Sequence, residues 1–225
     1  MNCAEILKRM EAAGSPAAVA GMARFGIIAK RAYGVSAPAL KKLAREIGPD
    51  HALAQQLWAT EVLEARALAG LVDEPERVTE RQMERWAKDF DSWAVCDGTC
   101  LYLFRKTPFA HRKCREWSSR REEFVKRAGF ALMACLAVHD KKAPDETFLA
   151  FLPLIEREAV DERPMVKKGV NWALRQIGKR NQRLNRAAVQ VAQTMRRLDS
   201  RSARWIASDA LRELRSEGVQ RRLKP

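Results

Sequence analysis

Along this chain apolar residues recur three and four positions apart, and β-branched residues never gather into alternating runs. That spacing predicts helices throughout and argues against sheet. Punctuation cuts the pattern into short units. Ser15-Pro16 and Ser36-Ala37-Pro38 each read as an N-cap with a proline in the first turn, and Gly48-Pro49 closes the helix LKKLAREI. Thr79 and Gln82 have the spacing of a capping box ahead of ERQMERWAKDF. Ser92 caps a helix beginning at Trp93. Thr107-Pro108, Pro144 and Pro164 mark further starts, and Gly218 ends the last helix. About a dozen helices of ordinary length are expected, joined by connections of a few residues.

A weak repeat runs through these helices. EARALAGLV, KRAGFALMACL, NWALRQIG and SDALREL share a charged residue, small residues and an Ala-Leu pair, with the pairs beginning at 67, 131, 173 and 210. The last two gaps are near the period of HEAT-type helical pairs; the first is longer and holds no matching pair. Such pairs expose an apolar face that only a neighbour can cover, so they stack. The expected architecture is all-α, HEAT-like repeats in a curved α-solenoid with a basic concave face. An irregular helical bundle is the competing arrangement. No Gly/Ser-rich linker divides the chain, so one domain over residues 1–225 is expected.

Charge narrows the partner. Lys and Arg number 42 against 28 Asp and Glu, a formal net charge of +14. That excess favours a polyanion, because each phosphate neutralised releases a condensed counterion. Charge alone does not separate DNA from RNA or an anionic membrane. No apolar stretch approaches the roughly 20 residues needed to span a bilayer. The N-terminal MNCAEILKRMEAAG has charges inside its apolar pattern and no signal-peptide core. A cytoplasmic, nucleoid-associated protein with five reduced cysteines is expected.

Three clusters could carry chemistry. Trp93 and Asp97 stand four apart in DSWAVCDGTCLYLF, on one helical face; an Asp in so apolar a segment is paired, capped or used. Lys126 and Arg127 open the most apolar helix, where an arginine either clamps a phosphate or pairs with the next repeat. Trp172 lies among Lys168, Arg175 and Lys179, at four before, three after and seven after. That stripe suits a phosphate backbone with one aromatic surface, and suits equally a tryptophan half-buried beside a solvated basic face. Cys96, Cys100, His111 and Cys114 offer zinc ligand types at a spacing that matches no standard zinc motif, so neither metal nor cofactor is expected.

The ordered segments WAVCD, FVKRAGFALMACLAVHDK and MVKKGVNWALRQIGKRN, with GVSAPALKKLAREI before them, resemble the AlkD family of DNA alkylation repair glycosylases from about residue 20 onward. The resemblance implies a HEAT-like superhelix that excises cationic alkylated purines from duplex DNA, chiefly N3-methyladenine and N7-methylguanine, and bulkier adducts as a further class. It implies that the lesion stays stacked while the backbone is gripped. It assigns Asp97 as the catalytic carboxylate, Trp93 and Trp172 as the site's tryptophans and Arg127 as its arginine. Lys126, Lys168, Arg175 and Lys179 become the DNA-binding cations. Many relatives carry a carboxylate directly after the first tryptophan, where this chain has Ala94; Phe25 and Tyr33 are the counterparts available for an N-terminal aromatic. A monomeric, monofunctional glycosylase acting on alkylated double-stranded DNA is therefore expected. A non-catalytic HEAT-repeat protein that binds DNA or a protein partner is the alternative, and an RNA-binding repeat protein a second.

Overall fold

The computed structural model describes residues 1–223, so Lys224 of the predicted basic tail lies outside the described residues. Among these residues the chain forms fifteen α-helices, two 3-10 turns and no strand. They fall into two compact units. The first, Met1–Thr107, holds α1 (Cys3–Ala12), α2 (Pro16–Met22) with a 3-10 turn Ala23–Phe25, α3 (Ala37–Ile47), α4 (His51–Ala59), α5 (Leu63–Val72), α6 (Glu80–Lys88), α7 (Trp93–Tyr102) and a 3-10 turn Phe104–Lys106. The second, from Pro108 onward, holds α8 (Ala110–Ser118), α9 (Glu123–His139), α10 (Asp145–Leu149), α11 (Leu152–Glu158), α12 (Pro164–Gly178), α13 (Gln182–Met195), α14 (Arg201–Leu214) and α15 (Glu217–Gln220).

The polar caps start these helices where the sequence puts them. Ser15, Ser36, Thr79 and Ser92 each accept a backbone N–H three residues on, satisfying one of the orphan donors at a helix start. Three expectations change. Thr79 caps α6, but no capping box closes: the Gln82 side chain is turned to Asp73, donating through its amide to Oδ2 at 2.6 Å. Thr107-Pro108 does not begin α8 directly; Thr107 Oγ1 donates to the Phe104 carbonyl at 2.8 Å, closing the preceding 3-10 turn, and the helix starts at Ala110. Gly218 does not end a helix but sits inside the short α15, which Ser216 caps.

The helices carrying the Ala-Leu pairs lie at the centre of each unit. In the first, α5 packs against α3, α4 and α7. Trp58 of α4 and Trp86 of α6 stack with centroids 3.9 Å apart, and Trp58 Nε1 donates to Asp89 at 2.9 Å. In the second, α9 packs against α8 and α12, and α12 against α13 and α14. This ranked packing of helical pairs is the HEAT-like repeat pattern. Every residue of α9 from Arg127 to Ala137 is buried, so neighbours close around it. Gly129 permits the closest approach: a Cβ there would stand 2.6 Å from the Ser118 backbone nitrogen of α8.

Gly129→Ala should therefore force α8 and α9 apart and destabilise the protein by about 1–3 kcal/mol. Urea denaturation checks this, and an unchanged midpoint would contradict the close approach.

Candidate active site

Helix α7 presents the first group of candidate residues. Ser92 is buried and caps the helix, setting Trp93 at its first position. Trp93 and Asp97 are both partly exposed, one turn apart on one face. The Trp93 indole Nε1–H donates to the Phe25 carbonyl at 2.8 Å, across 68 residues of sequence. Phe25 itself is exposed, and so is Ile28. Ala94, Val95, Gly98 and Tyr102 turn the adjacent face of α7 onto a cavity of about 280 Å³ that Met22, Ile27 and Leu40 also line. The polar side chains around it are Lys41, Glu64 and Tyr102. Lys41 Nζ sits 5.3 Å from the Tyr102 ring centroid, and Glu64 accepts the N–H groups of Tyr33 (3.0 Å) and Gly34 (2.7 Å).

The second unit holds the other candidates. Arg127 is buried on α9, and its Nη1 donates to the Met165 carbonyl at 2.6 Å, in the first turn of α12. It runs beside Gly169, where a Cβ would stand 3.5 Å from Arg127 Cγ. Lys126 is largely buried, with Nζ 2.6 Å from Glu158 and 3.1 Å from Asp161. Trp172 is partly exposed on α12. Arg175 pairs with Asp209 at 2.8 Å and with Glu213, and Lys179 pairs with Glu213 at 2.7 Å. Lys168 is exposed and forms no ion pair among the described residues. Of the four cations assigned to DNA, three thus hold carboxylates of their own unit.

These ion pairs leave marks on acidity. Burial works to raise the Asp161 carboxyl, but hydrogen bonds from Arg163 and Lys126 outweigh it and hold the group at about 2. Asp209 is lowered in the same way, burial being overcome by Asn171 and Arg175. Burial drives the Cys114 thiol far above its ordinary range, with Cys135 beside it adding to the effect, and burial also raises Cys3. Cys96, Cys100, Cys114 and Cys135 are all buried free thiols, and His111 Nε2 lies 3.0 Å from Asp140 Oδ2. Among the described residues no cluster of metal-ligating side chains is found.

One further aromatic residue stands out in three dimensions. Trp205 of α14 is 42% exposed, with Lys167 Nζ 5.0 Å from its ring centroid. The run RSARW, with Arg201 and Arg204 near the tryptophan, was the available signal.

Residues 6–213 match the family described as DNA alkylation repair enzyme. The chain belongs to that family. No curated protein matches the sequence. Among solved structures, one described as a new family of proteins related to the HEAT-like repeat DNA glycosylases with affinity for branched DNA structures superposes with a TM-score of 0.79. It is 18% identical and the match covers 95% of each chain, which establishes a shared HEAT-like fold. No described helix of this DNA alkylation repair family member is long and apolar enough to cross a membrane.

Two outcomes follow for this family member's cations. If Lys168 meets a phosphate, Lys168→Ala should reduce the slope of log affinity against log salt by about 0.9 without changing stability. Filter binding across a salt series measures it, and an unchanged slope removes Lys168 from the interface. The Asp161 cluster should act on stability instead. Its carboxyl is lower in the folded state than its ordinary 3.8, so its contribution is complete above about pH 4 and is lost as pH falls toward 2. Asp161→Asn should flatten stability over that window in acid titrations followed by circular dichroism.

Proposed function

We propose that this chain is a monofunctional DNA glycosylase that hydrolyses the N-glycosidic bond of cationic alkylated purines, N3-methyladenine and N7-methylguanine among them, in duplex DNA. The observation that carries the reading is Trp93 and Asp97 standing one turn apart and open to solvent on α7, in a DNA alkylation repair family member. A purine methylated at N3 or N7 is already positively charged. When its bond to C1′ breaks, the electron pair goes to the base, which leaves neutral without prior protonation. Positive charge grows on the deoxyribose. The Asp97 carboxylate stabilises that charge and takes a proton from the water whose oxygen bonds to C1′. The negative ring face of Trp93 attracts the cationic base or sugar and excludes water. The resemblance gives Trp172 a like role, and Arg127, Lys168 and Arg175 are the cations placed to hold phosphates on either side of the lesion in this reading.

The α7 cavity favours a lesion handled without flipping. Both backbone N–H groups that Glu64 accepts already occupy its carboxylate, and the remaining wall is mostly apolar. Pockets for flipped bases instead offer hydrogen bonds to the Watson–Crick edge. No cofactor is needed for any step.

A second reading is a protein that binds DNA structure without catalysis. It draws on the fold shared with a protein described as having affinity for branched DNA, and on Ala94 where many relatives carry a carboxylate.

Base release from methylated duplex DNA, with the freed bases identified chromatographically, separates the two. Wild type should release N7-methylguanine or N3-methyladenine. Asp97→Asn should cut the rate roughly 100-fold or more while leaving DNA affinity within about twofold. DNA binding by wild type without release of any cationic base would favour the second reading.

A further inference from the structure

The N-terminal turn between α2 and α3 exposes apolar side chains on a rigid backbone. Phe25 is 71% and Ile28 81% exposed, the two most exposed large apolar residues among those described. Exposure of this kind usually marks a loose segment, yet here hydrogen bonds tie the backbone down at both ends of the turn. Gly26 lies in the left-handed region (φ 72°, ψ 26°). Its N–H donates to the Ala23 carbonyl at 2.9 Å, and the next N–H, from Ile27, reaches back to Met22 at 3.1 Å. Together these bonds form a Schellman motif, whose accompanying apolar pair, Met22 and Ile27, faces the cavity. That motif turns Ile27 inward and leaves Phe25 and Ile28 outside. Leu63 N–H holds the Arg31 carbonyl at 2.9 Å, Glu64 holds Tyr33 and Gly34, and Trp93 holds the Phe25 carbonyl.

The sequence of this stretch carries one sign of charge, Glu64 of α5 being the carboxylate packed against it. Residues 12–45 contain six Lys and Arg and no Asp or Glu, and Arg24 and Lys30 are exposed on either side of the apolar pair. Cations around an apolar tip fit a polyanion with apolar faces inside it. Stacked bases in a phosphate frame have that chemistry, and proteins open base steps with such Phe and Ile wedges.

We infer that Phe25 and Ile28 form a wedge that enters DNA where base stacking is interrupted, as at a nick, gap or branch. The inference rests on the reading of this chain as a DNA-acting protein. A wedge held ready in this way loses little conformational freedom on binding. Its hydrogen bond to Trp93 ties the inserted step to the helix that carries Asp97.

Two duplexes of one sequence, one intact and one with a single-nucleotide gap flanked by 2-aminopurine, test it. Wild type should prefer the gapped duplex by about tenfold, the worth of one base stacked on an aromatic ring, and should raise the 2-aminopurine fluorescence as the wedge parts it from its neighbouring base. Phe25→Ala combined with Ile28→Ala should abolish both the preference and the fluorescence rise, while affinity for the intact duplex stays within about twofold. Because both side chains are exposed, the thermal midpoint should not move, which separates the effect from misfolding. Gly26→Ala, which keeps both side chains but strains the turn, should lose part of the preference. A double variant that retains the preference, or a wild type that prefers the gap without a fluorescence change, overturns the wedge. A wild type that binds the intact duplex and shows no preference also overturns it but leaves the proposed function standing, whereas failure to bind either duplex overturns both.

Discussion

The second unit depends on α9 having no solvent face over eleven consecutive positions. A helix enclosed in this way needs neighbours on every side, and it must bring no unsatisfied polar group with it. Gly129 meets the first demand by letting the α8 backbone approach to within contact distance. Arg127 meets the second at the edge of the buried run, donating to the Met165 carbonyl in the first turn of α12. One side chain thereby finds its partner on the neighbouring helical pair and links α12 to α9. Trp172 and Lys168 lie on the α12 helix so linked. The arginine that the resemblance assigns to the site is thus a joint between helical pairs.

Charge in this protein is distributed less simply than its total suggests. Residues 164–198 contain nine Lys and Arg and no Asp or Glu, yet carboxylates from α10 and α14 reach into this block. Arg175 and Lys179 share Glu213, and Arg183 meets Glu146. A phosphate arriving here exchanges one anion for another, so its gain is the difference between two charge pairs. Lys168 and the Arg24–Lys30 region carry no such competition within their units, and a phosphate there gains the whole attraction. The net charge therefore overstates what is on offer to a polyanion, and the unpaired cations are where one would gain most.

Much of the fold was legible because its signals are local. A serine or threonine before an apolar run names a helix start wherever the chain is read, and Ser15, Ser36, Thr79 and Ser92 all behave accordingly. Gln82 misled because its side chain is recruited by Asp73, nine residues back, and that competitor has no signature in the capping pattern. Gly218 misled because Ser216 caps a further short helix at that point, which places the glycine in its first turn. The residues of the candidate site were named through family resemblance. The partners were not: the ion pairs of Lys126, Arg175 and Lys179 span 32 to 38 residues, and the Trp93–Phe25 bond spans 68. That bond uses a backbone carbonyl, which every residue type supplies, so no inspection of side chains could have picked it out.

The cysteines carry a consequence of their own. Soft electrophiles attack thiolates rather than thiols, and they attack what they can reach. Four of the five thiols here are enclosed in the core, and burial keeps Cys114 protonated at any ordinary pH. Cys3, the one partly accessible thiol, is shifted in the same direction. A repair protein works in the presence of the reagents that make its substrates. This one has hidden its most alkylatable atoms, so the chemistry that damages the genome finds little to inactivate in the protein that attends to it.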